Sequence, residues 1–501
     1  MPKYMYERLS AQDNSFLVAE DINMPLHVGA VAIYELGEMA SEAGGVDVRK
    51  FKRALEAQLH RIPRYREKLE WTPVEGRPVW VDDPHFNIDY HVRHAALPRP
   101  GGVDELKKLA ARISTRTLDR SRPLWEMWLI EGLEGDRFAV VNKIHHCMID
   151  GVSGSDIAQI LMSPSPEYEI GEPREFLPRP TPSRAELLVG AARRLALAPI
   201  EVAGRLGTFL RETPDLAGEL GDRLSAVTEL AGNLLAPAAS TPINGPLSPH
   251  RRVDWLTLPL EHVKAVRRAE GCTVNDVVLA TVSGAVRQYL FRRGVTPGAI
   301  DFRVSAPVSV RSREEAGTLG NRVSAWIVPL PLGEPSPRVA LHQINEQTRR
   351  IKRSRQSLGV DLLMQAAEYA PASLMAAGAR AAAGPMNMIV TNVPGPPFPL
   401  YLLGARLLEM HPLVPLLEGT GLGIALFSYD GNLHVGLNAD YELVPDLGSF
   451  TALFAQSFLA LADETGAVAV PPEDVRSARG TPDSSPRAAE VVPLTAARHS
   501  T

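Results

Sequence analysis

Residues 163 to 250 divide this chain. Pro164, Pro166, Pro173, Pro178, Pro180 and Pro182 follow one another too closely for any long regular element. Residues 184–236 then show no alternating strand pattern, only amphipathic helical segments. One groups Leu187, Leu188, Ala191 and Leu195, with Arg193 and Arg194 beside them; another groups Val202, Leu206, Phe209 and Leu210. On either side lie blocks in which strand and helix patterns mix. A chain of 501 residues exceeds what one core ordinarily organises. The expectation is an α/β protein of two mixed-sheet halves, residues 1–163 and 251–465, joined by a Pro-rich and helical linker over 164–250. From 466 to 501 there is no Phe, Trp or Tyr, and Pro, Ser and Arg are frequent, which predicts a disordered tail.

The stretch richest in chemistry lies in the first half. Phe138-Ala139-Val140-Val141 reads as the body of a buried strand that runs on to His145 and His146. Asp150 and Gly151 follow on a turn, and Ile157, Ile160 and Leu161 then recur at helical spacing. Strand side chains alternate faces, so two adjacent histidines point opposite ways if the strand persists, and only one meets a shared site. A neutral imidazole, with an ordinary pKa of about 6.5, accepts a hydroxyl proton at physiological pH, so general-base chemistry is the leading reading. Three others compete: a metal held by the histidines and Asp150, which strand alternation works against; Cys147 as a nucleophile activated by His146; and two structural histidines. The leading reading requires no metal and no cofactor.

His145-His146-x-x-x-Asp150-Gly151 resembles the HHxxxDG motif of the chloramphenicol-acetyltransferase-like superfamily. Further stretches resemble one branch of it, the bacterial wax ester synthase/diacylglycerol acyltransferases. They are Leu9-Ser10-x-x-Asp13-x-x-Phe16-Leu17, Pro25-Leu26-His27-Val28-Gly29, Pro123-Leu124-Trp125-Glu126, Asn275-Asp276-Val277-Val278-Leu279-Ala280 and Thr391-Asn392-Val393-Pro394-Gly395-Pro396. The departure noted, Leu26 where Met is common, is conservative. The resemblance runs from about residue 4 to about 463. It implies two chloramphenicol-acetyltransferase-like halves, and acyl transfer from acyl-CoA to a hydroxyl of diacylglycerol or of a long-chain alcohol. His146 would be the base, His145 its neighbour in the motif, and Asp150 mainly structural. Gly151, Asn275 and Asp276 would line the substrate site, with His146 and Asn275 supplied from opposite halves.

The remaining elements follow from pattern. Residues 25–34 alternate as a strand with Leu26, Val28, Ala30, Ala32 and Tyr34 on one face. A helix over about 47–62 carries Phe51, Leu55, Leu59 and Ile62 as its stripe, and another spans about 103–117. Residues 78–81 and 88–92 read as short strands, and Trp125 and Trp128 as core fillers. Thr273 is placed to cap a helix over 274–293, with Asp276 three residues on and Gly294 as its stop. Ser336-Pro337 starts a helix to about Arg355, whose basic end reads as a solvated face. Asp430-Gly431 marks a hairpin.

Charge and absent motifs narrow the function. Fifty-three basic against 58 acidic residues leave a net charge of −5, which argues against nucleic acid as a partner. Two cysteines exclude a disulfide scaffold. No G-x-S-x-G elbow, Walker A loop or H-E-x-x-H occurs, and Gly419-Thr420-Gly421-Leu422-Gly423 lacks the context of a dinucleotide site. The N-terminus has no apolar signal core, and no apolar run reaches the roughly 20 residues that cross a bilayer. A cytoplasmic protein in peripheral contact with the inner membrane surface or a lipid droplet is expected. Two alternatives remain: an acyltransferase fed by a carrier protein, and a non-catalytic lipid-surface protein.

Overall fold

The computed structural model describes residues 6–42, 44–73, 76–148, 160–194, 196–197, 238–309, 323–353, 384 and 386–467. The expected disordered tail, the linker segment around Val202 to Leu210, and Asp150 and Gly151 lie outside the described residues.

The elements are, in order, β1 (Glu7–Arg8), α1 (Ala11–Ala19), β2 (His27–Glu35), α2 (Val48–Gln58), β3 (Glu67–Trp71), β4 (Pro78–Asp82), α3 (Ile88–His91), β5 (Val92–Ala96), α4 (Val103–Thr115), β6 (Trp125–Leu133), β7 (Arg137–His145) and β8 (Met162–Ser163). After the linker come β9 (Arg251–Pro259), α5 (Leu260–Glu270), α6 (Val274–Arg292), β10 (Phe302–Ser309), β11 (Val323–Leu330), α7 (Pro337–Arg353), β12 (Met388–Pro394), β13 (Tyr401–Leu402), β14 (Ala405–Leu413), β15 (Leu422–Tyr429), β16 (Asn432–Asp440) and α8 (Leu447–Glu464).

Two large mixed sheets organise them. The first has the order β5-β6-β7-β2-β14-β13-β8, the second β11-β10-β12-β15-β16-β9, and β1-β4-β3 forms a small third sheet. The division expected at 163 and 251 is crossed by one segment. Strands β13 and β14, from the second half of the sequence, join the first sheet, with β14 antiparallel to β2 from Tyr34↔Leu407 to Gly29↔Leu413. Close backbone approach is built in at β14 and, one strand further in, between β2 and β7. A Cβ on Gly436 of β16 would lie 1.9 Å from the Pro412 carbonyl oxygen, and one on Gly29 of β2 would lie 2.6 Å from that of Asn142. Only glycine fits either contact.

The first sheet is buried on both faces, which the alternation read into residues 25–34 does not anticipate. Ala32, Tyr34, Phe138, Val140 and Ile144 pack with Phe51 and Leu55 of α2. Val31, Ile33, Ala139 and Val141 pack against Leu106, Ala110 and Ile113 of α4 on the other side. Buried Lys143 reaches past this layer and donates to the carbonyls of Ile113 (3.2 Å) and Arg116 (2.8 Å), placing a cation at the α4 C-terminus.

Residues 88–92 correct the strand expected there. Asn87 Oδ1 accepts the Asp89 N–H at 2.8 Å and starts one helical turn, and the strand begins only at Val92. The turn buries His91 against Trp125, with ring centroids 4.5 Å apart. Trp125 itself is fully enclosed and donates from Nε1 to the Tyr65 carbonyl at 2.8 Å, as a core filler should.

In the second half α6 has the predicted Thr273–Asp276 capping box. Its flanks pack on both α7 and α8, so most of its circumference is buried. Asp430 (φ 42°) and Gly431 (φ 79°) form the tight turn between β15 and β16, both in the left-handed region such hairpins require. No helix among the described residues is long and apolar enough to cross a membrane.

Candidate active site

Strand β7 ends at His145, and residues 146–148 form a turn of 3-10 helix. The two histidines part there. His145 is fully buried and sits directly across from His27 in the β2–β7 ladder, with ring centroids 5.6 Å apart. His146 stacks on Phe16 of α1 at 3.8 Å between centroids, 21° from parallel. Its backbone N–H donates to the Leu26 carbonyl at 2.9 Å. Its buried Nδ1 has no hydrogen-bond partner among the described residues. Burial above all, with the adjacent His145, pushes the His146 pKa down to about 4. At neutral pH the ring is therefore uncharged, the form a base requires.

Motif residues far apart in sequence converge on this turn. Ser10 caps α1 by accepting the Asp13 N–H at 3.0 Å, Leu17 enters the core, and Phe16 meets His146. The Leu9-to-Leu17 stretch thus serves to fix the helix that carries Phe16. One residue past that helix, the Glu20 carboxylate lies 3.1 Å from His27 Nε2 and 3.5 Å from His145 Nε2. Arg120 binds its second oxygen at 2.8 Å. Burial pushes the Glu20 pKa up, but hydrogen bonding from His145 and His27 outweighs this and holds the carboxyl well below its usual range. Burial pushes His27 down to about 4, so it stays neutral beside the carboxylate.

Glu20, His27 and His145 present donor atoms all within 4.8 Å of one another, the makings of a two-histidine, one-carboxylate metal site. The proton pattern works against that use. The Cys147 N–H donates to His145 Nδ1 at 3.1 Å, so a neutral His145 carries its proton on Nε2, the atom that faces Glu20. A metal on Nε2 would require an imidazolate. The expected metal set of both histidines with Asp150 is likewise split, since His145 and His146 make separate contacts. Cys147 is buried, and burial, with Asp13 and Glu20, pushes its thiol well above the ordinary value. A thiol held protonated is a poor nucleophile, and the Cys147 reading loses its chemical basis.

The second half contributes Asn275, in the first turn of α6. Its Oδ1 accepts from Asn392 Nδ2 at 2.7 Å, which joins the NDVVLA and TNVPGP stretches and leaves the Asn275 amide as a donor. Among the described residues no hydrogen bond links Asn275 to His146. Asp276, expected to bind substrate, is committed elsewhere: Oδ2 takes the Thr273 N–H and hydroxyl at 2.8 Å each, and Oδ1 takes the Thr348 hydroxyl at 2.7 Å. Its role is to cap and anchor α6.

Four contact residues, Phe16, Glu20, His27 and Arg120, did not emerge as site residues from the sequence. Two of them lie inside motif stretches quoted above, and Glu20 stands four residues after Phe16, one helical turn on.

Comparison with known proteins identifies the family. Residues 9–278 match the model of the wax ester synthase/diacylglycerol acyltransferase catalytic domain, and residues 319–462 that of the WS/DGAT C-terminal domain. A Mycobacterium tuberculosis protein named probable diacylglycerol O-acyltransferase tgs1 is 33% identical over 447 residues, which is 88% of this chain and 92% of that protein. A second, tgs2, is 33% identical over 465 residues, covering 91% and 98%. The solved structure of the wax ester synthase/diacylglycerol acyltransferase from Marinobacter aquaeolei superposes with a TM-score of 0.65 at 25% identity, covering 92% of this chain and all of that one. The first condensation domain of the calcium-dependent antibiotic synthetase shares the fold alone (TM-score 0.57, 18% identity, 93% and 98% covered). A neutral histidine at the end of β7, the motif turn that holds it and matches spanning both halves together place the chain in the wax ester synthase/diacylglycerol acyltransferase family.

Proposed function

We propose that the protein moves a long-chain acyl group from acyl-CoA to the free hydroxyl of diacylglycerol, and also to long-chain alcohols. The observation that carries this is His146: neutral, shielded, and fixed by Phe16 where β7 ends. His146 removes the acceptor's hydroxyl proton as the oxygen attacks the thioester carbonyl. The carbon–sulfur bond then breaks, and the CoA thiolate takes the proton back from the imidazolium. Such proton transfer contributes typically about 10²–10⁴-fold. The Asn275 amide is free to donate to the thioester oxygen, and positioning supplies the rest. The reaction needs neither a covalent acyl-enzyme nor a cofactor of the protein's own. Purified protein with labelled palmitoyl-CoA should convert diolein to labelled triacylglycerol and hexadecanol to wax ester. Product from acyl-carrier protein but none from palmitoyl-CoA would replace the donor in this reading.

Both acceptors are lipids, so the enzyme meets them at a lipid surface, of a membrane or a droplet. Support comes from the helical residues 184–194. Leu187 packs with Val79 and Val81 of β4, while Leu188 and Val189 are 44% and 68% exposed, with Arg193 exposed on the same helix. Arg193→Glu with Arg194→Glu should weaken binding to anionic liposomes by about 1 kcal/mol per charge. Turnover of dispersed diolein should fall with it, while that of a short, water-soluble alcohol stays level. Unchanged liposome binding would leave this helix as a bridge only.

A further inference from the structure

Glu20 follows the last residue of α1, with its side chain only 3% exposed, and it is the point where three contacts on the His146 turn meet. The first runs through a peptide. Glu20 Oε1 accepts the Leu26 N–H at 3.1 Å, and the Leu26 carbonyl accepts the His146 N–H at 2.9 Å. The second runs through a ring. Oε1 lies 3.5 Å from His145 Nε2, and His145 Nδ1 accepts the Cys147 N–H at 3.1 Å. The amides of residues 146 and 147, which bracket the His146 α-carbon, are thus both tied back to one carboxylate oxygen. The third contact runs through α1 itself, since Phe16, one turn earlier, stacks on the His146 ring.

The other oxygen keeps the carboxylate in place. Arg120 donates to Oε2 and to the Leu17 carbonyl, both at 2.8 Å, locking the carboxylate to the end of α1. The ring contact at 3.5 Å is longer than a good hydrogen bond and acts mainly through charge. A carboxylate facing Nε2 favours the proton there, and that tautomer leaves Nδ1 free to accept from Cys147. Neutralising Glu20 removes this preference. The ring can then place its proton on Nδ1, where it would collide with the Cys147 N–H and tilt the turn.

We propose that Glu20 is a positioning residue for the acyl transfer, setting the orientation of His146 through the Leu26 peptide and the His145 ring. The inference rests on His146 being the base. Misplacing a catalytic group by about 1 Å can cost on the order of 10²-fold in rate. Glu20→Gln keeps the side chain's shape and removes its charge. It should lower kcat about 10- to 100-fold per folded molecule, with KM for palmitoyl-CoA little changed.

Selective ¹⁵N-histidine labelling of the full-length protein supplies a readout that a merely structural Glu20 would not move. In the wild type the His145 signals, identified by their loss in His145→Asn, should show the proton on Nε2. In Glu20→Gln the signals of both His145 and His146 should shift. A folded Glu20→Gln enzyme with unchanged kcat overturns the proposal, and so does a wild-type His145 carrying its proton on Nδ1. If Glu20→Gln does not fold, the wild-type tautomer alone decides. If the wild type transfers no acyl group, the proposed function fails, while the tautomer and the His146 signals still report whether Glu20 sets the ring.

Discussion

His146→Ala lowers kcat by about two to four orders of magnitude while the protein melts close to the wild-type temperature. The ring stacks on Phe16, and its buried Nδ1 has no partner among the described residues. Truncation therefore removes a proton acceptor and breaks no described hydrogen bond of the ring. His145→Ala should behave in the opposite way. That side chain is fully enclosed, faces His27 and Glu20, and holds the Cys147 amide, so its loss opens a cavity and leaves a buried carboxylate short of a neighbour. Circular-dichroism melting and steady-state kinetics on both variants separate the two roles. If His145→Ala is the inactive, well-folded variant and His146→Ala the unstable active one, the base is the other imidazole.

Acidification is the second large effect. Burial pushes His27, His91 and His146 down to about 4 and His434 to about 3. An unfolded histidine takes up its proton near 6.5. Between those values the unfolded chain binds protons that the folded chain refuses, so stability is complete above about 6.5 and is lost as pH falls toward 4. Each of the first three contributes roughly 3 kcal/mol to that loss. Together they rival the roughly 5–15 kcal/mol that holds a typical domain folded. The melting temperature should therefore drop steeply from pH 7 to pH 4.5. Turnover per folded molecule should stay level down to about pH 5, because His146 is still neutral there. A melting temperature that is flat across this range would mean that these rings are solvated.

The sequence made much of this legible where a residue's task is local. Thr273 and Asp276 bracket the start of α6 in the spacing of a capping box, and Asp430-Gly431 can hardly be anything but a tight hairpin. The turn after β7 stood out because two imidazoles at a strand end have few bland explanations. The misread stretch, residues 88–92, has strand-like composition, but Asn87 supplies a cap and tertiary burial of His91 against Trp125 decides the outcome. Asp276 looked like a ligand residue because an acidic side chain in a first turn serves capping and binding equally well. Only the Thr348 hydroxyl, 72 residues away, shows that both oxygens are taken. Glu20 was invisible for a related reason: its partners Leu26, His27, Arg120 and His145 gather only when β2 pairs with β7.

The insertion of β14 beside β2 has a consequence in time. On the ribosome, β2 and β7 are available to pair once residue 145 has emerged, yet β14 does not begin until residue 405. At about 5–20 residues per second, the far edge of β2 waits roughly ten to fifty seconds for its neighbour. Throughout that interval it offers a row of unpaired N–H and C=O groups flanked by Val31 and Ile33, the template on which another nascent chain can add a strand. Yield of native protein should therefore depend on whatever covers that edge in the cell, such as a chaperone, and on how fast the linker is translated, more than on the final stability of either sheet.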